Sequence, residues 1–239
     1  MKKFLLGLVV FLCIAFGATE LILPAVASRA VRSQLQAVLQ TDEVTADVSS
    51  FPAVRMFGGH FGHFELEAED ALLGDLRVAR MTLIGDKVDI PPKVLMGKAR
   101  GDTDKGKFYI DGAERLELRG IVTEESLADL INRKVEHVSD VSVKLTPKKA
   151  IVDGKVKLFG NEVNVNVECR LYGEKNAIML QMTRIDLKHS FFGKGGIAGD
   201  LLGDIELVDF NRMKLPVELD EIEQQDGQAV LTASHHHKK

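Results

Sequence analysis

The chain has 239 residues, of which 45% are hydrophobic and 28% charged, and its formal net charge is -4 at pH 7. This length is sufficient for one large all-β or α+β domain, or for two small ones. The charge balance argues against a nucleic-acid-binding protein, which would carry a strongly basic surface, so the sequence predicts no nucleic-acid partner.

The N-terminus has the pattern of an export or anchoring signal. Lys2 and Lys3 precede an uncharged apolar run over residues 4–18, as in the charged and apolar regions of such a signal. Residues 1–23 are predicted to be a cleaved signal peptide, with the small residues Ala25 and Ala27 at the cleavage site, or a retained membrane anchor. The following segment continues as a helix, which favours retention. Either alternative exports the rest of the chain to the cell envelope, as a membrane-anchored or periplasmic protein outside the cytoplasmic membrane.

A predicted amphipathic helix follows the signal. From Pro24 to Gln40, apolar residues recur at spacings of three and four, which is the period of a helix with one buried face. Arg29 and Arg32 lie between them, just outside the membrane. The sequence therefore predicts a contact between this helix and the membrane surface.

The segment from Phe51 to Asp70 predicts a turn followed by a half-buried strand. A Phe-Pro pair and Gly58-Gly59 come first, and from Phe64 onward apolar residues alternate with glutamates. Alternation places successive side chains on opposite faces of a strand, so Phe64 and Leu66 are expected to point inward. Gly74 then predicts a turn, and a change of alternation between Leu76 and Leu83 predicts a curled sheet.

The middle of the chain contains an irregular segment and a helix. Residues 87–107, which include Pro91-Pro92 and many charges, predict a loop or a sheet edge. Thr123 is a typical helix N-cap, and the helix predicted from Thr123 to Val138 has an apolar face. This face contains Leu127, Leu130 and Ile131.

The second half again predicts strands followed by a helix. Val163, Val165 and Val167 alternate and continue to Cys169, which is predicted to be a small buried hydrophobic residue. Turns are predicted at Asp153-Gly154 and Gly160-Asn161, and a closing hairpin at Asp226-Gly227.

The last predicted helix covers Ile197 to Val208, with Leu201, Leu202 and Ile205 on one side. The order of elements predicts an α+β fold in which two helices pack on curled antiparallel sheets. Residues 24–234 are predicted to form a single β-rich domain, and residues 235–239 form a His/Lys tail.

Candidate chemical motifs are weak. His60 and His63 lack a third ligand at a plausible spacing, and the glycine-rich stretch 192–196 lacks the Gly-Lys-Ser/Thr ending of a phosphate loop. The sequence contains no Gly-x-Ser-x-Gly motif. It therefore predicts no catalytic residue, no metal site and no cofactor, and the protein is not expected to be an enzyme.

Several short motifs together cover nearly the whole chain beyond the signal. They are Glu20 to Pro24 leading into an amphipathic helix, Phe51-Pro52, Gly59-x-Phe61 with its alternating strand, Ile121 to Leu127, and Leu215-Pro216 followed by Asp226-Gly227. In this order they resemble the LmeA-like family of exported bacterial phospholipid-binding proteins. The resemblance implies an elongated β-rich body, similar to tubular lipid-binding proteins, with an apolar cavity for phospholipid chains and no enzymatic activity. The charged residues 87–107 and the His/Lys tail depart from it.

The leading hypothesis is that apolar side chains of the sheets and helices line a cavity that binds phospholipid. The alternatives are an anchored structural envelope protein with a fully packed core, and a lipid-modifying hydrolase. The candidate cavity residues are Phe64, Leu66, Leu127, Leu130, Ile131, Val163, Val165, Val167, Leu201, Leu202 and Ile205.

Overall fold

The protein has an α+β fold dominated by two antiparallel sheets, as predicted. The computed structural model describes residues 2–95, 109–158, 161–188, 197–198, 204–212 and 215–235. These residues form twelve strands and three α-helices.

The first sheet joins the first half of the chain to its C-terminus. Its strands are β1 (Val44–Ser49), β2 (His60–Leu73), β3 (Leu76–Asp89), β4 (Arg115–Thr123), β11 (Glu218–Gln225) and β12 (Gln228–Ser234). They lie in the order β1-β2-β3-β4-β12-β11, and all neighbouring pairs are antiparallel. The turns predicted at Gly74 and at Asp226-Gly227 are confirmed, and both glycines adopt the positive φ that such turns require.

The second sheet is built from the later part of the chain. Its strands are β5 (Val138–Leu145), β6 (Ala150–Leu158), β7 (Asn161–Glu174), β8 (Ala177–Lys188), β9 (Ile197–Ala198) and β10 (Ile205–Asp209). The order is β10-β8-β7-β6-β5, and β9 pairs with β8. The strand predicted through Val163, Val165 and Val167 is confirmed as β7, which lies at the centre of this sheet.

Three α-helices accompany the sheets: α1 (Lys2–Leu39), the single turn α2 (Pro92–Leu95) and α3 (Glu124–Lys134). The prediction that the N-terminal helix runs straight on is confirmed, because α1 continues through Pro24. Its buried face, with Val31, Leu35 and Leu39, packs against β1. None of the helices in the described residues has the length and apolar composition that a bilayer crossing requires.

The prediction of a helix from Ile197 to Val208 is wrong. In the described residues, Ile197 and Ala198 form a short strand on β8, and Ile205 opens β10, where it pairs with Leu180. The apolar spacing fits a helix, but β8 offers an unpaired edge whose backbone groups these residues satisfy instead. Leu201 and Leu202 lie outside the described residues.

Two smaller predictions also need correction, and a third is only partly covered by the described residues. Asp153-Gly154 is not a turn, because both residues lie within β6, where Gly154 pairs with Val165. Of the predicted loop at residues 87–107, the first three belong to β3, Pro92 begins α2, and residues 96–107 lie outside the described residues. The Gly160 half of the other predicted turn is also outside them, and Asn161 already begins β7.

The predicted change of alternation in β3 is confirmed and it bends the first sheet. In β2 the buried positions shift from Phe64, Leu66 and Ala68 to Ala71 and Leu73. The shift occurs at Asp70, whose φ of 49° is left-handed, and β3 changes parity at the opposite position. Left-handed residues inside a ladder increase the local twist, so the sheet curls.

One hydrophobic core connects both sheets with α1 and α3. Phe64 and Leu66 lie in its first-sheet part and are almost completely inaccessible to solvent, while Glu67 and Glu69 on the other face are exposed. The inward direction predicted for Phe64 and Leu66 is therefore confirmed.

Candidate functional site: an apolar cavity beside α3

A cavity of about 290 Å³ lies between α3 and the inner face of the second sheet. This volume is at the lower end of the range of about 300–1,000 Å³ typical of small-molecule pockets. Every lining residue is apolar, glycine or cysteine. They are Ile131, Val135, Val138, Val152, Gly154, Val156, Val165, Val167, Cys169, Leu180, Met182, Ile185 and Ile205.

Strand register brings the lining residues side by side. Val152 of β6, Val167 of β7 and Ile185 of β8 form one row across the sheet, and Gly154 and Val165 form part of the next. The β7–β8 ladder shifts register between Glu168 and Cys169. This shift lets Met182 and Ile185, three residues apart, line the same cavity, whereas a regular strand would direct them to opposite faces.

Gly154 widens the cavity on the β6 side. A Cβ at this position would meet Val138, Ser139 and Val141 at 3.5–3.6 Å, which is ordinary van der Waals contact. Steric contacts therefore do not require a glycine at this position, and the absence of a side chain leaves additional volume to the cavity. The adjacent β5–β6 ladder is also irregular, between Ser139 and Ser142.

The helix α3 forms the remaining wall, and its start is the N-cap predicted from the sequence. The Thr123 hydroxyl accepts a hydrogen bond from the Ser126 backbone N–H at 3.2 Å. Glu124 then accepts the backbone N–H of Leu145 at 2.7 Å, which ties the first turn of α3 to β5. The cap thus stabilises the first turn of α3, and the Glu124 bond holds that turn against β5.

The C-terminal end of α3 is held by Lys134. Its ammonium donates to the backbone carbonyls of Glu206 and Leu207 on β10, both at 3.2 Å. It also lies 3.1 Å from the Asp75 carboxylate in the β2–β3 turn. A cation at a helix C-terminus is favourable by itself, and here it also connects α3 to both sheets.

The cavity has a buried part and a part near the surface. Cys169 and Leu180 are 1% and 3% exposed, whereas Val138 and Val156, which pair with each other, are only half-buried. Ile185 is half-buried as well. The lining thus reaches solvent at the Val138–Val156 end of the strands.

Cys169 places a free thiol in the cavity wall. Burial raises the pKa of Cys169 to about 12, because removal from water disfavours the thiolate. The predicted role as a buried hydrophobic residue is confirmed. A thiol with so high a pKa is a poor nucleophile at neutral pH.

Four of the predicted cavity residues line the cavity: Ile131, Val165, Val167 and Ile205. Val163 is half-buried on the same face of β7 but lies outside the lining. The remaining described candidates are buried elsewhere in the core: Phe64, Leu66, Leu127 and Leu130.

Sequence reasoning missed most of the β6 and β8 contribution. The alternation of Val152, Gly154 and Val156 was a usable signal, but the Asp153-Gly154 pair also fits a turn. The sequence around Leu180 and Met182 fits a strand, but nothing in the sequence shows with which strand it pairs.

The two histidines considered as metal ligands pair with aspartates of β3. His60 Nδ1 lies 2.5 Å from Asp89 Oδ1, and His63 Nδ1 lies 3.2 Å from Asp86 Oδ1. All four side chains are about half exposed. Within the described ranges, no three His, Cys, Asp or Glu side chains group in a way that could hold a metal ion.

A β-rich domain with an uncharged cavity that opens between a helix and a sheet defines a class of proteins that accommodate apolar ligands. The family model described as LmeA-like phospholipid-binding matches residues 18–234. The chain therefore belongs to the LmeA-like phospholipid-binding family, which confirms the resemblance found in its motifs. No curated protein and no solved structure matches the chain.

Proposed function

We propose that this protein binds phospholipid non-enzymatically, with an acyl chain in the cavity beside α3, and that it carries lipid at the outer side of the cytoplasmic membrane in envelope lipid maintenance. The wholly apolar lining of the cavity is the observation that carries the proposal. Membership of a phospholipid-binding family supports it. The charged and apolar N-terminus supports export.

Burial of the acyl chain supplies the driving force. Each methylene removed from water contributes about 0.8 kcal/mol, so about ten methylenes contribute about 8 kcal/mol before the costs of immobilisation. The lining offers no polar partner for a headgroup, and a phosphate would lose its hydration there. The headgroup therefore stays in water at the Val138–Val156 end. By analogy with the family resemblance, we propose a tubular lipid-binding-like body.

The cavity also weighs against the alternatives. A structural envelope protein with a packed core would have few voids larger than a water molecule. A hydrolase would need a nucleophile beside a base, but the lining contains only the Cys169 thiol, whose pKa is raised. Lipid binding accounts for the cavity volume and requires neither a nucleophile nor a base.

Lipid extraction from the purified full-length protein, followed by mass spectrometry, tests the proposal directly. We expect phospholipid to copurify and a fluorescent phospholipid to be taken up by the delipidated protein. The absence of both would refute lipid binding.

A matched pair of variants tests the location of the lipid. Val167→Phe places an aromatic ring in the cavity, and Asn164→Phe places the same ring on the exposed face of the same strand. We expect Val167→Phe to reduce lipid uptake on the order of tenfold or more, since blocking about two methylenes already costs that much. Asn164→Phe should bind like the wild type. Equal uptake by both variants would place the lipid elsewhere.

A further inference from the structure

The exposed large hydrophobic residues of the described chain all fall in two segments. One is α1 from Phe16 to Val26, and the other runs from Phe51 to Phe57. Leu21, Phe51 and Phe57 are 80%, 78% and 68% exposed. Large apolar side chains that are grouped and exposed in this way on a folded protein indicate an interaction site.

The two segments are in direct contact. The Glu20 carboxylate accepts the Ala53 backbone N–H through both of its oxygens, at 2.9 and 3.0 Å. Leu21 and Ile22 follow Glu20, and Phe51, Val54 and Phe57 flank Ala53. We call these five exposed side chains, Leu21, Ile22, Phe51, Val54 and Phe57, the apolar tip.

The second segment has a defined conformation that presents its side chains outward. Residues Ala53–Gly58 form a 3-10 helix whose Ala53 and Met56 are buried. At its end, Gly59 has a φ of 82°, and a Cβ there would lie 1.9 Å from the carbonyl oxygen of Ile90. The Ile90 N–H donates to the Gly59 carbonyl at 2.8 Å. The exposure of Phe57 is therefore a consequence of the ordered conformation of this segment.

Positive charge borders the apolar tip. Arg29 lies on the exposed face of α1, about two helical turns beyond Ile22 and Leu21 and away from the buried Val31 and Leu35. Arg32 is also exposed, but it lines a surface pocket together with Glu43, Glu67 and Glu69. Arg55 is exposed within the second segment. Aromatic and aliphatic side chains next to arginines are the composition of segments that lie in the interface of an anionic bilayer.

We propose that the apolar tip is the docking surface through which the protein engages the surface of an anionic phospholipid bilayer. Phe51, Val54 and Phe57 enter the boundary between headgroups and acyl chains, and Arg29 and Arg55 lie at the level of the lipid phosphates. This docking proposal rests on the proposed lipid-binding function and adds the surface through which the protein contacts the bilayer. Continuity with the uncharged run over residues 4–18 of α1 favours a bilayer over a protein partner.

Tryptophan fluorescence can read this contact directly, because the chain contains no tryptophan. In the full-length protein, Phe57→Trp and, as a second variant, Phe51→Trp each introduce one probe into the apolar tip. Gln181→Trp is the control, exposed on β8 of the second sheet. With vesicles containing phosphatidylglycerol, we expect a blue shift and quenching by brominated acyl chains for both tip probes and neither effect for the control. If neither tip probe responds, the docking surface is not the apolar tip.

A second experiment separates docking from lipid binding. The double variant Phe51→Ser/Phe57→Ser should take up lipid from vesicles on the order of tenfold more slowly than the wild type. The reason is that it lacks the two aromatic rings that would be buried in the bilayer. Binding of a monomeric fluorescent lysophospholipid, which needs no vesicle, should be unchanged. Equal uptake from vesicles would overturn the docking proposal alone. Failure of the wild type to bind either lipid would overturn the proposed function instead.

Discussion

At the scale of single residues, Cys169 reports on the polarity of the cavity. Its pKa is raised from 9.0 to about 12 by burial. At pH 8 this leaves about one thiol in ten thousand ionised, against about one in ten for an unperturbed thiol, and only the thiolate is reactive.

We therefore predict that Cys169 in the folded protein reacts with a thiol-specific disulfide reagent on the order of a thousandfold more slowly than in guanidinium. The Cys13→Ser variant leaves Cys169 as the sole cysteine for this measurement. The same shift destabilises the fold as the pH rises from about 9 to about 12, because only the unfolded chain then ionises its thiol. Equal reaction rates in the folded and unfolded protein would contradict the burial of the Cys169 thiol.

Glu20 is a charged residue within an otherwise apolar stretch, and the structure gives it a partner. Because its carboxylate accepts the Ala53 N–H, Glu20→Ala is expected to lower the free energy of unfolding by about 1–2 kcal/mol. Glu20→Gln retains an acceptor oxygen and should recover most of this loss. Urea unfolding of the three proteins measures the difference. A wild-type value for Glu20→Ala would show that the contact contributes nothing to stability.

At the scale of elements, the Thr123 N-cap stabilises the start of α3, the helix that forms one wall of the cavity. Thr123→Ala removes the acceptor for the Ser126 N–H and should lower the free energy of unfolding by about 1 kcal/mol. Thr123→Ser keeps the hydroxyl and serves as the control, with an expected change near zero. Urea midpoints at an unchanged slope give the comparison. If both variants lose equal stability, the methyl group of Thr123 matters and its cap does not.

The sequence correctly predicts those strands and helices whose residues follow a single clear periodicity. Alternation predicted β2 and β7, and Thr123 with its following apolar face predicted α3, because these patterns act over adjacent residues. The segment from Ile205 onward was misassigned because its spacing fits a helix, and pairing with β8 decides its state. The turn predicted at Asp153-Gly154 is wrong because a turn dipeptide can also lie inside a strand, where the missing side chain of Gly154 leaves volume to the cavity.

The cavity itself was predictable only in part. Ile131, Val165 and Val167 follow from the apolar faces, since any inward residue of β7 or α3 is a candidate. Ile205 also lines the cavity, but from β10 and not from the predicted helix. Phe64 and Leu66 satisfy the same sequence criterion yet fill packed core. Whether facing side chains meet or leave a gap depends on the separation of α3 from the sheet, which Lys134 and Glu124 set through contacts distant in sequence.

At the scale of the whole molecule, the two sheets and α3 form one cooperative core. The Gly227 N–H of the first sheet donates to the Leu145 carbonyl of the second at 3.2 Å, and the Leu171 N–H donates to the Gln224 side chain at 3.3 Å. The buried residues of both sheets belong to one continuous cluster. A ligand in the cavity should therefore stabilise the entire fold and not only the second sheet.

This coupling gives the last prediction. Ligand that binds only the folded state raises the free energy of unfolding by about 2.7 kcal/mol at a hundredfold excess over Kd. A monomeric lysophospholipid should thus raise the thermal midpoint of the delipidated wild type and of Asn164→Phe, in a single transition. Val167→Phe should show little or no shift, because its ring occupies the cavity. A packed structural protein would show no shift in any of the three, and a shift of equal size in all three would mean that the lipid stabilises the fold from outside the cavity.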